Sequence, residues 1–97
     1  MIFYIKEGNV LVSADYMGAA TKRICDGVSN ADYCEKTRVY VITRSNGVVE
    51  TRDFNGNKIR QICDGATEAR FNGDSITVRR NGRTELRDRH GNMQKYI

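Results

Sequence analysis

A chain of 97 residues with a net charge of +4, 39% apolar residues, no Trp and no Pro makes one domain with a thin core, because a domain this small buries only about two thirds of its unfolded surface. No apolar run approaches a membrane span, and the run Met1–Ile5 before Lys6 is too short for a signal-peptide core. Three cysteines, Cys25, Cys34 and Cys63, leave at least one thiol unpaired and none stands in a C-x-x-C spacing; the expectation is a reduced, cytoplasmic protein without disulfide staples.

In chain order, Ile2 to Ile5 reads as a strand, Gly8-Asn9 as a turn, Val10 to Ala14 as the return strand, Gly18 as a second turn and Thr21 to Ile24 as a third strand. Ala31-Asp32-Tyr33 alternates small apolar, charged and aromatic, which puts Ala and Tyr on one face of a strand. Val39 to Thr43 is rich in β-branched and aromatic residues, and Asn46-Gly47 is a strong hairpin signal because both residues tolerate a positive φ. Val48 to Asp53, the turn Asn55-Gly56 and Lys58 to Ile62 follow. Then come Ala69-Arg70-Phe71, Ile76 to Val78, the turn Asn81-Gly82, Thr84 to Leu86, the turn His90-Gly91 and Met93 to Ile97. That makes eleven strands and no helix.

These elements repeat. Arg23-Ile-Cys-Asp-Gly27 returns as Gln61-Ile-Cys-Asp-Gly65, 38 positions later, and the same offset lays Asp15 on Asp53, Gly18 on Gly56 and Tyr33 on Phe71. At an offset of 35, Asn46-Gly47 falls on Asn81-Gly82, Arg52-Asp53 on Arg87-Asp88 and Gly56-Asn57 on Gly91-Asn92. The drop from 38 to 35 predicts a loop near Glu35 to Arg38 that has lost three residues in the later copy. The fold class expected is all-β, a single domain of three tandem antiparallel β-meander repeats of about 35–38 residues, with units near 1–27, 28–65 and 66–97.

Four short antiparallel strands per unit, joined by hairpins and Asp-x-x-Gly turns, resemble the blades of a β-propeller of the WD40 type, without the Gly-His and Trp-Asp signatures. The resemblance implies a binding scaffold and carries over no site residues. Three blades do not close a ring, so it further implies a homo-oligomer in which two chains complete six blades. A second resemblance is to the β-prism of monocot mannose lectins, whose sugar motif is Gln-x-Asp-x-Asn-x-Val-x-Tyr. The nearest stretch here, Ile5 to Ser13, keeps Asn9 with Glu7 and Leu11 as approximate matches.

No enzyme is expected: there is no nucleophile–base pair, Walker loop or dinucleotide fingerprint, and the single His90 has no partner set for zinc. No cofactor or metal is implied. The repeated Cys-Asp-Gly reads as a buried thiol followed by a turn, and Asp15, Asp53 and Asp88 read as turn caps. The one candidate binding set is Arg79, Arg80, Arg83, Arg87 and Arg89, on two strands joined by Asn81-Gly82. A row of guanidiniums there would hold phosphates or an acidic partner, while Glu85 interrupts it and favours cross-strand salt pairing. The function expected is a non-enzymatic binding or assembly module that self-associates and scaffolds protein interactions. Nucleic-acid or acidic-partner binding through the arginine hairpin, and carbohydrate binding, are the alternatives. No membrane contact is expected.

Overall fold

The computed structural model describes residues 2–97, and all its regular elements are strands; Met1, which opens the first apolar run, lies outside the described residues. Strands β1 (Ile2–Lys6), β2 (Val10–Ala14) and β3 (Ala20–Cys25) form a first sheet in chain order. A second sheet takes β4 (Val28–Cys34), β5 (Val39–Arg44), β6 (Val49–Asp53) and β7 (Lys58–Cys63). A third takes β8 (Ala66–Asn72), β9 (Ser75–Arg80), β10 (Arg83–Arg87) and β11 (Met93–Tyr96). The all-β class and the internal repeat expected from the sequence are both present. The strand expected at Ala31–Tyr33 is longer than its alternating core, running from Val28 to Cys34 with a bulge between Val28 and Asn30.

Register makes the three units superimposable. Tyr4 pairs with Val12, Ile42 with Glu50 and Val78 with Glu85. The residues missing from the later copy are not all in one loop. Cys34 pairs with Val39 across four loop residues, whereas Asn72 pairs with Ser75 across two. The third residue is lost in the next hairpin, where Asn81 and Gly82 close a two-residue turn with φ of 50° and 75°. Both positive values are what a tight hairpin needs to match strand twist.

The sheets stack as layers. Period-two alternation sends Tyr40 and Ile42 to one face of β5 and Val41 to the other. The first pair lies in a cluster with Leu11, Ile24, Cys25 and Val28, against which Phe3 and Tyr33 pack. Val41 lies in a second cluster with Val49, Ile62, Ala69, Ile76 and Val78. The second sheet is therefore buried on both faces, which is why β5 reads as a continuous apolar run rather than an alternating one. Backbone bonds repeat at the two junctions: the Val28 N–H donates to Asn9 O (2.9 Å) and the Ala66 N–H to Gly47 O (3.0 Å). Turns repeat too. Gly56 sits against Ile24, where an added Cβ would lie 2.9 Å from the carbonyl oxygen, and Gly91 sits against Ile62 in the same way at 3.2 Å.

This arrangement corrects the propeller-like and prism-like expectations. Both architectures require sheets that come together around a shared axis or core. Here there are three discrete sheets, none closed or curled. The two hydrophobic clusters lie on opposite sides of the middle layer, so the outer sheets share no core. The six-bladed ring completed by two chains falls with the propeller.

Candidate functional site

The five arginines singled out by sequence are split up by the pleat. Arg87 pairs across the ladder with Ile76, and Glu85 with Val78, so both face the second sheet. Glu85 is buried and is held from two sides: Arg87 Nε donates to it at 2.9 Å and Arg80 Nη1 at 3.3 Å. A further guanidinium nitrogen of Arg87 donates to Gly91 O at 2.7 Å. Arg83 is exposed and lies over the Tyr96 ring, 4.9 Å from its centroid. Arg79 is exposed at a position opposite Thr84, on the outer face of the third sheet, and Arg89 sits in the Asp88–Gly91 turn. The structure thus brings Arg80 and Arg87 together around Glu85 and leaves Arg79, Arg83 and Arg89 apart.

The same triad exists in the second sheet. Glu50 is 2% exposed and accepts from Arg44 at 3.4 Å and Arg52 at 2.5 Å, and Arg52 also donates to Gly56 O at 2.8 Å. The repeated Cys-Asp-Gly of one layer meets the triad of the next: Asp26 lies 3.5 Å from Arg44, and Asp64 lies 3.9 Å from Arg80. Burial pushes the thiols of Cys25 and Cys63 up, against the pull of the nearby arginines, so both are poor nucleophiles. The Asp-x-x-Gly turns are capped by their aspartates. Asp15 accepts from the Met17 and Ala19 N–H groups, Asp53 from Asn55 and Asn57, and Asp88 from His90 and Asn92, all at 2.9–3.0 Å. No group of three or more metal-ligating side chains occurs among the described residues, and none of them forms a helix long and apolar enough to cross a membrane.

The first sheet lacks the triad. Register puts Lys6, Val12 and Ala14 where the second sheet has Arg44, Glu50 and Arg52. Its face away from the second sheet carries Ile2, Tyr4, Val10, Val12 and Ala14. The positions equivalent to Ile2 and Tyr4 are Tyr40 and Ile42, both 0% exposed, whereas Ile2 and Tyr4 are 44% and 38% exposed. Tyr16 and Met17, in the adjoining turn, are more exposed still, and Gly18 meets nothing within 4 Å where Gly56 and Gly91 touch a neighbouring layer. This apolar face was not singled out by sequence, although aligning the copies displays it, since Val12 stands where the later copies have Glu. The outer face of the third sheet is different, bearing Glu68, Arg70, Thr77, Arg79, Thr84 and Leu86, with Glu68 opposite Arg79 and ion-paired to Arg70.

A cleft of about 220 Å³ opens between the second and third sheets. Val39, Ile59 and Phe71 supply its apolar surfaces, and Arg60, Arg89 and His90 stand at it. Cys34 also lines it, and hydrogen bonds from the Thr37 side chain and from the Thr37 and Lys36 backbone hold this thiol below its ordinary value. No protein-family model matches the chain, and no curated protein matches its sequence.

Proposed function

We propose that this chain is a non-enzymatic assembly module that self-associates through the outer face of its first sheet. One observation carries the reading. Ile2 and Tyr4, 44% and 38% exposed, stand where Tyr40 and Ile42, and then Ile76 and Val78, are 0% exposed beneath a neighbouring layer. A sheet face with an apolar stripe is stable when another layer covers it. Head-to-tail stacking would press this face against the third sheet's outer face and bury the charged side chains Glu68, Arg70 and Arg79, which is costly. A two-fold arrangement instead sets apolar face against apolar face in a second copy, the arrangement of an isologous dimer. Three short strands offer on the order of a few hundred Å² per protomer, below the standard interface, so dissociation belongs in the micromolar range or weaker.

Phosphate or acidic-partner binding by the arginine hairpin is the weaker reading, because Glu85 holds Arg80 and Arg87. Light scattering on a size-exclusion column, across a dilution series, tests the assembly reading. The mass should rise from 11.0 kDa towards twice that value with concentration, and Tyr4→Lys should weaken the association by at least about tenfold, since it puts a charge at the centre of the apolar face. A mass of one chain at the highest attainable concentration would refute it.

A further inference from the structure

The two layer junctions are built on the same plan but are not filled alike. Between the first and second sheets, the rings of Phe3, Tyr33 and Tyr40 pack together, with centroids 4.7–6.3 Å apart. Between the second and third, register places Val41, Phe71 and Ile76 at those positions. Two of the three rings are replaced by aliphatic side chains. The cleft opens beside the ring that remains, Phe71, and Val39 and Ile59 complete an apolar wall.

Charge changes in the same place. At the first junction Lys22 Nζ donates to Asn55 Oδ1 at 2.6 Å. The equivalent pair at the second junction is Arg60 and His90, and Arg89 stands where Phe54 stands in the earlier unit. Neither Arg60 nor Arg89 forms an ion pair among the described residues. The one carboxylate of the cleft, Asp74, is matched by Lys36 at 3.8 Å. An apolar slot walled by Val39, Ile59 and Phe71, with two unmatched guanidiniums beside it, has a defined chemical complement.

We propose that this cleft binds a small aromatic acid: its planar ring against Phe71, Val39 and Ile59, its anionic group held by Arg60 and Arg89. The cleft suits one or two fused rings, being smaller than the pockets of drug-sized ligands. The ring gains a stacking partner in Phe71, the one aromatic side chain lining the cleft apart from the His90 imidazole. The anion gains charge-assisted hydrogen bonds from the guanidiniums. The proposal does not depend on self-association, since the cleft and the open face of the first sheet belong to different layers.

The test uses the full chain and 1-naphthoate as probe, with 1-naphthalenemethanol as its uncharged counterpart. Binding is read by amide chemical shifts and by the rate at which iodoacetamide alkylates Cys34, followed by intact mass. Naphthoate should move signals at Phe71, Arg60 and Arg89 and slow alkylation of Cys34. The neutral alcohol should bind at least about tenfold more weakly, as should Arg60→Ala/Arg89→Ala, whose sites are exposed, because each loses charge-assisted bonds. Val39→Phe, which fills the slot and keeps both arginines, should abolish binding. No shift and no protection at millimolar naphthoate would overturn the proposal. So would equal affinity for acid and alcohol, unchanged binding by the double variant, or shifts confined to the outer face of the first sheet.

Discussion

Replacing Glu50 by Gln removes the charge that holds Arg44 and Arg52 together between two layers. The carboxylate is 2% exposed, while the two arginine side chains are 27% and 19% exposed. Deleting one member of a buried ionic cluster costs about 3–5 kcal/mol, because the remaining charges stay desolvated without a counter-charge. Both guanidiniums reach some water, Arg44 keeps Asp26 at 3.5 Å and Arg52 keeps its bond to Gly56 O, so the lower end applies, about 3 kcal/mol. That is a large part of the stability of a domain whose total is about 5–15 kcal/mol. With a dependence of about 1.5 kcal/mol per M urea, the unfolding midpoint should fall by about 2 M. The triple variant Arg44→Met/Glu50→Val/Arg52→Met removes all three charges and keeps the volume apolar, and it should lie within about 1 kcal/mol of the wild type. Urea unfolding followed by circular dichroism measures both. A Glu50→Gln variant within about 0.5 kcal/mol of the wild type, or a triple variant less stable than the single one, would refute the account of the triad.

Two further outcomes follow from the turns. Gly18→Ala and Gly56→Ala face the same backbone strain, with φ of +85° and +93°, but only the second drives a methyl group onto the Ile24 carbonyl. Gly18→Ala should cost about 1 kcal/mol and Gly56→Ala about 1–3 kcal/mol more, the extra loss lowering Tm by at least about 4 °C; equal losses would show that the layer contact is not tight. For the caps, N–H donors, Asn57 and Asn92 first, hold the Asp53 and Asp88 carboxyls below the ordinary 3.8. The folded state then binds fewer protons than the unfolded state in that range, so the contribution is present above the unfolded value and is lost as pH falls through the folded one. Asp53→Asn/Asp88→Asn should flatten the acid limb of stability below about pH 4, and urea midpoints that fall in parallel for both proteins would contradict this.

The strands, their turns and the repeat were legible because each is encoded within a few residues. A β-branched run makes a strand, Asn-Gly makes a hairpin, and an aspartate caps N–H groups two and four residues on, whatever the rest of the chain does. The triad was legible only in part. Glu85 and its arginine neighbours could be read as salt pairing, but whether the cluster faced water or another layer depended on which face of the ladder was covered. Layer order and the cleft were not legible at all, and the apolar face of the first sheet only in Val12 standing where the later copies have Glu. Each is set by which side chains meet across sheets far apart in sequence: Phe3 and Tyr40 at one junction, Val41 and Ile76 at the other. Local hydrogen bonding and period-two patterning determined eleven strands in three copies. Non-local side-chain volume and charge decided that the copies stack as separate layers instead of closing on one another, that one outer face is apolar and the other polar, and that a cleft opens beside Phe71 between the second and third layers.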